Sequence, residues 1–436
     1  MAQHLLDLGD DGIAAARAQL EHYLPGLDPG LVPLSAQTAL LPDTTLLALQ
    51  RSYGLRAAAD ILQRAGVRQH RALPDIEALD LLLARDAAAA PDRALRAGVA
   101  RDWHLTAVKA QDAWARWGGP LAIDWADLRV GQIDTGYLPH PVFGFPAAPW
   151  IDVPAGRTFF ASGPGTDDGA AVGGSGPGGG VDANQAAYDG HGTRVASVIC
   201  GHDPGAPPAP FFGVAPRVPL VPVRIANHVF ISHAQRELAR ALHYLLQQPG
   251  LGVINLSMGF LPRTQMGVLD RAIDAAYEAG VIVVCAAGQP LASVIAPAHG
   301  RRTVAVAGST VGGIPWGSSA HGTAVDWAAP ADAIYRAEVR RDGSAAYAGG
   351  GDGTSYAAAI TTGAAALWLA HHRNALPARY LQPWQRVEAF IATAGATARA
   401  MPHQQPGSFG SGILDIDALL AAPLPDPATL RKQARA

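Results

Sequence analysis

From about Leu128 onward, short apolar runs alternate with stretches in which apolar residues recur every three or four positions. The short runs predict buried strands, and the periodic stretches predict amphipathic helices. The predicted strands cover residues 129–133, 220–225, 253–256, 281–286 and 303–307. Because strands alternate with helices at this spacing, the pattern predicts an α/β fold with a mostly parallel central sheet and helices on both faces.

The first 98 residues are predicted to form a separate helical region. Apolar residues recur at helical spacing in 13–24 and 46–62, and Asp75 is placed to cap the leucine-rich run that follows it. The alanine-rich stretch at 86–91 predicts a boundary between this region and the rest of the chain. We expect the region to be a fixed extension, a propeptide-like segment or a module that docks a partner.

Residues 99–424 are predicted to form one large domain, and residues 425–436 are predicted to form a loose tail after it. At the start of this domain, three tryptophans at helical spacing predict a single helix over residues 103–117 that ends at a Gly-Gly pair. A domain of this length buries a substantial apolar core. The candidate functional residues are therefore expected in the large domain.

Charge and composition exclude several classes of function. The 436 residues include 33 basic and 36 acidic side chains, so the net charge is −3 and no basic surface for nucleic acid or acidic membranes is expected. The longest apolar stretch, 356–370, is interrupted by polar residues and is too short to span a bilayer. The first residues lack the pattern of a secretory signal, and Cys200 and Cys285 are too few for a disulfide framework. We expect a cytoplasmic protein without nucleic-acid or membrane partners.

A carboxylate follows the first predicted strand directly. Asp134 begins the sequence Asp-Thr-Gly at the carboxyl end of that strand, where parallel sheets bind their ligands. One Asp-Thr-Gly is a weak signal, because plain turns and aspartic proteases also contain it. An aspartic protease would need a second such motif in a β-rich chain, and this sequence has neither.

A histidine opens the next segment of interest. His191 lies between Gly190 and Gly192, and the apolar residues after it predict a helix that begins near His191. An imidazole at the mouth of a buried helix is held rigidly and can still face a cleft, as a general base requires. A single histidine is more often an ordinary surface or core residue.

A serine stands where a glycine-rich turn enters a long alanine-rich helix. The unpaired N–H groups at such a helix start can stabilise an oxyanion beside Ser355. Serine is also a common helix cap, which is the plainer interpretation. The Gly-x-Ser-x-Gly motif of α/β-hydrolases is absent around Ser355, which disfavours a lipase or esterase of that class.

The three residues occur in the order Asp134, His191, Ser355, at separations of 57 and 164 residues. This is the order of the subtilisin triad. The segments IDTG, GHGT-x-VA and GTS-x-AAA resemble the three signature segments of the subtilisin-like (subtilase) family, and the similarity runs from about residue 102 to 420. It implies a subtilisin-like three-layer fold and a serine endopeptidase that cleaves a protein or peptide substrate.

The resemblance also implies a role for each site residue. Ser355 would attack the peptide carbonyl, His191 would accept its proton, and Asp134 would orient the imidazole. Gln289 and the Ser355 N–H would stabilise the oxyanion. The residues expected to bind substrate are Ser257, Met258, Gly259, Phe260, Ala286, Ala287 and Gly288.

Two departures from the family pattern leave a second hypothesis open. Gln289 stands where the family usually has asparagine, and Phe260 stands where a second glycine is common and is expected to narrow the pocket. Together with the unusual first 98 residues, they are compatible with a weak or inactive scaffold that acts as a binding or regulatory protein. The intact triad favours the enzyme.

The similarity implies no required cofactor. Calcium is frequent in the family, but no acidic loop in the sequence matches a coordination pattern, so no metal ligand is assigned. The expected partners are a protein or peptide substrate and, through the first 98 residues, a docked protein.

Overall fold

A computed structural model describes residues 3–8, 12–35, 38–73, 96–159, 190–206, 209–226, 228–232, 234–262, 265–289, 291–340 and 343–435. The helix predicted after Asp75 and the boundary predicted at 86–91 lie outside the described residues.

Residues 3–73 form a small α/β unit with its own apolar core. Its elements are β1 Gln3–Leu8, α1 Gly12–Tyr23, β2 Val32–Ser35, β3 Thr38–Pro42, α2 Asp43–Tyr53, α3 Leu55–Arg64 and β4 Val67–Leu73. The four strands pair antiparallel in the order β2-β3-β1-β4. The core includes the fully or almost fully buried side chains of Leu6, Leu8, Leu20 and Leu41.

The prediction of a helical region over residues 1–98 is therefore wrong in part. The helices α1, α2 and α3 match the predicted periodic runs, but all four strands were missed. Each strand is only four to seven residues long and contains few of the β-branched and aromatic residues that favour strands. Pairing between segments far apart in sequence makes them strands, and local periodicity does not report such pairing.

The large domain contains eleven strands among the described residues. They are β5 Arg129–Asp134, β6 Arg157–Thr158, β7 His202–Asp203, β8 Phe211–Phe212, β9 Leu220–Arg224, β10 Leu251–Leu256, β11 Ile282–Ala286, β12 Val304–Ser309, β13 Trp327–Pro330, β14 Ile334–Val339 and β15 Ala345–Gly351. Seven of them form a parallel sheet in the order β13-β12-β11-β10-β5-β9-β6. This confirms the predicted central sheet and all five predicted strands.

Helices cover both faces of this sheet. They are α4 Trp103–Ala107, α5 Ala110–Trp114, α6 His191–Cys200, α7 Gln235–Leu245, α8 Gly267–Glu278, α9 Thr354–His371, α10 Ala375–Arg379, α11 Pro383–Thr397 and α12 Ile416–Ala421. Short 3-10 helices cover Ala115–Trp117, Pro141–Phe143 and Pro427–Thr429. Among the helices described, none is long and apolar enough to cross a membrane.

Alternation along the strands creates the three layers. In β10, Val253 belongs to the core cluster that contains α6 and α9, whereas Ile254 belongs to the cluster that contains α7 and α8. Val284 and Val283 of β11 divide in the same way. Successive strand side chains point to opposite faces, so a strand that is apolar throughout is buried on both.

The single helix predicted over residues 103–117 is broken into α4, α5 and a 3-10 turn. Lys109 interrupts it with a left-handed φ of 55°, and the Lys109 Nζ lies 2.6 Å from the buried Asp415 Oδ2. The tryptophan spacing indicated the buried face correctly, because Trp103 and Trp114 are both buried. The periodicity of that face does not report a break in the backbone.

The tail over residues 425–436 was predicted to be loose, and the structure shows it docked as far as it is described. Arg302, whose side chain is 3% exposed, donates from Nη2 to the Gln433 carbonyl oxygen at 2.8 Å and from Nε to that of Ala434 at 3.1 Å. The same guanidinium pairs with Asp274 at 2.9 Å. The tail is docked because its backbone carbonyls accept hydrogen bonds from a buried cation, and the local sequence does not reveal such a contact.

Replacing Arg302 with methionine is expected to destabilise the protein and release the tail. Arg302→Met removes two bonds to the tail and leaves Asp274 without this cation, so we expect a loss of about 2–3 kcal/mol in the free energy of unfolding. Urea denaturation measures this loss, and limited proteolysis followed by mass spectrometry detects the released tail. The adjacent, exposed Arg301→Met is the matched control. Equal stability of the two variants would contradict the docking role of Arg302.

Candidate active site

The carboxyl ends of three neighbouring strands converge at one edge of the sheet. In the sheet order β11-β10-β5, β5 ends at Asp134, β10 leads into Ser257, and β11 leads into Gly288 and Gln289. Helices α6 and α9 bring His191 and Ser355 to the same edge. Parallel sheets bind ligands at this edge, because the loops that leave the strands meet there.

Three distant side chains form one chain of hydrogen bonds. His191 Nδ1 lies 2.7 Å from Asp134 Oδ1, and His191 Nε2 lies 3.1 Å from Ser355 Oγ. A carboxylate accepts hydrogen bonds, so Nδ1 carries the proton and Nε2 is free to accept from the serine hydroxyl. The predicted convergence of Asp134, His191 and Ser355 is confirmed.

The end of β5 is tied to the start of α6 by three further contacts. Gly192 N–H donates to Thr135 Oγ1 at 3.1 Å, and Gln132 Nε2 donates to the Gly192 carbonyl oxygen at 2.8 Å. Thr193 Oγ1 accepts from the Leu138 N–H at 2.8 Å. These contacts fix the imidazole relative to the strand that carries the carboxylate. Thr135 and Thr193 lie within the signature segments around Asp134 and His191, but the motifs alone did not predict these contacts.

Asp134 is itself held by the backbone that follows it. The Thr135 N–H donates to Asp134 Oδ1 at 2.7 Å, the same oxygen that accepts from His191. The Asp134 side chain is 1% exposed. A buried carboxylate that accepts two hydrogen bonds on one oxygen is held in a fixed orientation.

The serine is fixed through the backbone of its helix. Ser257 Oγ donates to the Ser355 carbonyl oxygen at 3.1 Å and accepts from Asn255 Nδ2 at 3.0 Å. Thr362 Oγ1 in turn donates to Asn255 Oδ1 at 3.0 Å, which links the third turn of α9 to β10. Ser355 is the second residue of α9, so its N–H is one of those without a partner inside the helix.

Gln289 is anchored at its oxygen end. The Thr354 N–H donates to Gln289 Oε1 at 3.1 Å, and the Thr354 hydroxyl donates to the same oxygen. Because a backbone N–H can only donate, the amide oxygen must face Thr354, and this fixes the orientation of the amide. Nε2 is then the free end, and it has no hydrogen-bond partner among the described residues.

A narrow pocket lies beside Ser355. Its lining includes most of the residues predicted to bind substrate, namely Ser257, Met258, Gly259, Ala286 and Gly288, together with Gln289 and Ser355. Val229, Phe230, Ile295 and Thr354 complete it and were not predicted. The space inside is only about 20 Å³, which is room for about one water molecule.

Phe260 and Ala287 were also predicted to bind substrate, and the structure places both outside the pocket lining. Phe260 is 1% exposed and packs in the core beneath the pocket, where its N–H and carbonyl both pair with Ala296. Ala287 is fully buried in the same core. In extended backbone, neighbouring side chains point to opposite sides, so residues next to Gly259 and Gly288 turn inward. Phe260 therefore does not narrow the pocket.

Neither cysteine takes part in this site. Cys200 and Cys285 are free and fully buried, and burial raises the pKa of both thiols above the usual value. A protonated, inaccessible thiol is a poor nucleophile, so both behave as small apolar residues. Within the described ranges, no group of three or more His, Cys, Asp or Glu side chains is arranged to hold a metal ion.

Comparison with known proteins agrees with this geometry. A family model described as the subtilase family matches residues 167–412, which is more than half of the 436 residues. The chain belongs to the subtilase family. The matched range includes His191 and Ser355, whereas Asp134 precedes it. The place of Asp134 in the site therefore rests on its 2.7 Å contact with His191.

Individual subtilases are similar to this one over part of their length. Mycosin-1 of Mycobacterium tuberculosis is 28% identical over 291 residues, which are 54% of this chain and 61% of that protein. An extracellular protease of Xanthomonas campestris is 29% identical over 313 residues, which are 67% of this chain and 51% of that protein. The chain thus spans about half to three fifths of the length of these curated relatives.

Solved structures share the fold. The crystal structure of MycP1 with the N-terminal propeptide removed has a TM-score of 0.54 and 24% identity to this subtilase, and the match covers 74% of this chain and 98% of that one. At this identity the likeness concerns the fold, and it confirms the subtilisin-like three-layer architecture.

The start of α6 can approach β5 this closely only if residue 192 has no side chain. A Cβ atom on Gly192 would lie 1.9 Å from the Gly136 carbonyl oxygen, so Gly192→Ala must push the start of α6 away from β5. We expect loss of the His191–Asp134 contact, together with destabilisation of about 2 kcal/mol or more. A crystal structure and urea denaturation measure these effects. The control is Gly317→Ala, where a Cβ meets no atom within 4 Å. A Gly192→Ala variant with an unchanged His191–Asp134 distance would contradict the constraint.

Proposed function

We propose that this subtilase is a serine endopeptidase that hydrolyses peptide bonds of a protein or peptide through an acyl-enzyme. The observation that carries the proposal is the continuous hydrogen-bonded chain from Asp134 through His191 to Ser355. It joins a nucleophile to a base and the base to an orienting carboxylate, which is the geometry that activates a serine.

Acylation follows from the positions of these groups. As Ser355 Oγ bonds to the substrate's carbonyl carbon, His191 Nε2 takes the hydroxyl proton, and the carbonyl oxygen becomes an oxyanion. The carbon–nitrogen bond then breaks, and His191 gives its proton to the departing amine. Asp134 stabilises the imidazolium that exists between these two transfers.

Deacylation repeats the proton transfers with water as the nucleophile. His191 accepts a proton from the water as its oxygen bonds to the acyl carbon, and it returns a proton to Ser355 Oγ as the ester bond breaks. The products are a carboxylic acid and the original serine. Every proton in these steps is carried by His191, so the proposed sequence uses no cofactor. Calcium, which is common in the family, would be a structural ion, and no residue is assigned to it.

The developing oxyanion would be stabilised by the Ser355 N–H and Gln289 Nε2. Glutamine is one methylene longer than the asparagine usual in the family, and its oxygen is drawn back to Thr354. This anchoring supports a working donor, because it turns Nε2 away from Thr354 and holds the amide rigid. It therefore favours the active enzyme over the inactive scaffold.

The first 98 residues are proposed to be a separable unit, either a propeptide-like segment or a docking module. The separate apolar core of residues 3–73 supports this, because such a unit can detach without exposing the core of the large domain. A cytoplasmic location also stays a prediction. It is supported by two cysteines that are buried as free thiols.

Labelling by a fluorophosphonate tests the nucleophile directly. We expect the probe to label wild-type protein at Ser355, and we expect Ser355→Ala to abolish both labelling and peptide hydrolysis, with a loss on the order of 10⁶-fold in kcat. Mass spectrometry of the labelled peptide identifies the residue, and an exposed serine variant, Ser411→Ala, is the control. Folded wild-type protein that neither reacts nor cleaves any peptide would favour the inactive scaffold.

Two variants of Gln289 distinguish the role of its Nε2 donor from that of its Oε1, which anchors the side chain to Thr354. Gln289→Leu removes both, whereas Gln289→Glu keeps the length and an oxygen facing Thr354 but offers no N–H donor. We expect each to lower kcat by about 10²–10³-fold with little change in KM, the magnitude known for one oxyanion donor in subtilisin. Steady-state kinetics gives the result, and thermal denaturation checks the fold. A kcat within about threefold of wild type in both variants would remove Gln289 from the mechanism.

A further inference from the structure

Two glycines form facing walls of the pocket beside Ser355, and one side chain fills the space between them. A Cβ atom on Gly259 would lie 2.5 Å from Ile295 Cδ1, and a Cβ atom on Gly288 would lie 2.8 Å from Ile295 Cγ2. Both glycines therefore contact Ile295 directly. The two glycines, which have no side chains, leave a slot between their loops, and the Ile295 side chain occupies this slot.

The backbone of Ile295 is fixed to the walls on both sides. The Ile295 N–H donates to the Ala287 carbonyl oxygen at 2.9 Å, beside Gly288. The next residue, Ala296, pairs with Phe260 through two hydrogen bonds of 2.8 and 3.0 Å, beside Gly259. Ile295 is 6% exposed, so its side chain is packed and does not point into solvent. Rotation of the Ile295 side chain cannot make room for a large substrate group, because the two walls block that rotation.

The position of the pocket identifies the part of the substrate that enters it. Ser355 and Gln289 both line the pocket. When Ser355 Oγ attacks the carbonyl carbon and the carbonyl oxygen lies near Gln289 Nε2, the substrate residue that carries this carbonyl lies over the pocket. None of the lining residues carries a charge, so the pocket suits a neutral side chain. The remaining space of about 20 Å³ holds about one water molecule, so only a small side chain fits without displacing the lining.

We infer that Ile295 restricts cleavage to bonds that follow a small neutral residue: glycine, alanine or serine. This inference rests on the proposed endopeptidase activity and adds the class of substrate to it. In a rigid apolar pocket, one methylene changes the rate by about 10–200-fold. Alanine should therefore be preferred to leucine, which is three carbons larger, by at least about 100-fold in kcat/KM.

The test uses the full chain and a peptide library prepared from digested cell protein. Mass spectrometry of the products identifies the residue before each cut, and quenched peptides that differ only in alanine or leucine at that residue give kcat/KM. We compare wild type with Ile295→Ala, which opens the slot, and Ile295→Val, which removes one methyl group and disturbs packing least. Ile273→Ala is the matched control, because Ile273 is also buried, lies in α8 and does not line the pocket.

Cuts after small residues by wild type, with the alanine-to-leucine ratio reduced at least about tenfold in Ile295→Ala and less in Ile295→Val, support the inference. Ile273→Ala should keep the wild-type ratio. Wild-type cuts after leucine or phenylalanine that disappear in Ser355→Ala would overturn the inference and leave the endopeptidase standing. The same holds for a folded Ile295→Ala with an unchanged ratio. If wild type makes no cut and Ser355 is not labelled, the proposed function falls and this inference falls with it.

Discussion

The active site depends on how closely the start of α6 can approach the end of β5. Gly192 passes the Gly136 carbonyl so closely that no side chain fits between them, and this contact lets His191 reach Asp134 at 2.7 Å. The Gly192 N–H donates to Thr135 Oγ1 and the Gly192 carbonyl oxygen accepts from Gln132 Nε2, and these two hydrogen bonds hold the elements at that distance. The geometry of the candidate site is thus set by how closely these two backbone segments approach, and the positions of the Asp134 and His191 side chains follow from it.

The parallel sheet supplies the rest of the arrangement. Because β11, β10 and β5 are neighbours with the same direction, their loops leave from one edge, and the pocket, the Ser257 anchor and Asp134 lie side by side. Helix α9 crosses this edge with Ser355 in its first turn and is fixed to β10 through Asn255. Apolar packing on both faces of the sheet makes this frame rigid, and a rigid frame keeps the hydrogen-bonded chain aligned before a substrate binds.

The sequence predicted those features that depend on local pattern. The five strands at the centre of the sheet and the positions of Asp134, His191 and Ser355 follow from apolar runs and motif order, and the structure confirms them. The strands of the first unit, the break at Lys109 and the docked tail depend on contacts between distant segments, which periodicity does not report. Phe260 shows the same limit within the site. Its size suggested a narrowed pocket, but its direction is set by the strand pairing with Ala296.

In the proposed enzyme, the segment that follows β11 would link the rate of hydrolysis to substrate specificity. Gln289 and Ile295 lie only six residues apart, and each is held by a different neighbour: Gln289 by Thr354 of the serine helix, and Ile295 by the buried Ala287, which precedes Gly288 of the pocket lining. A shift of this segment would move the oxyanion donor and the floor of the pocket together. The longer side chain of Gln289 and the filled slot at Ile295 are then two aspects of one compact loop. In the proposed mechanism, such a loop would tie a precise oxyanion site to a small acyl-side residue, because any larger group would have to displace the segment that holds the donor.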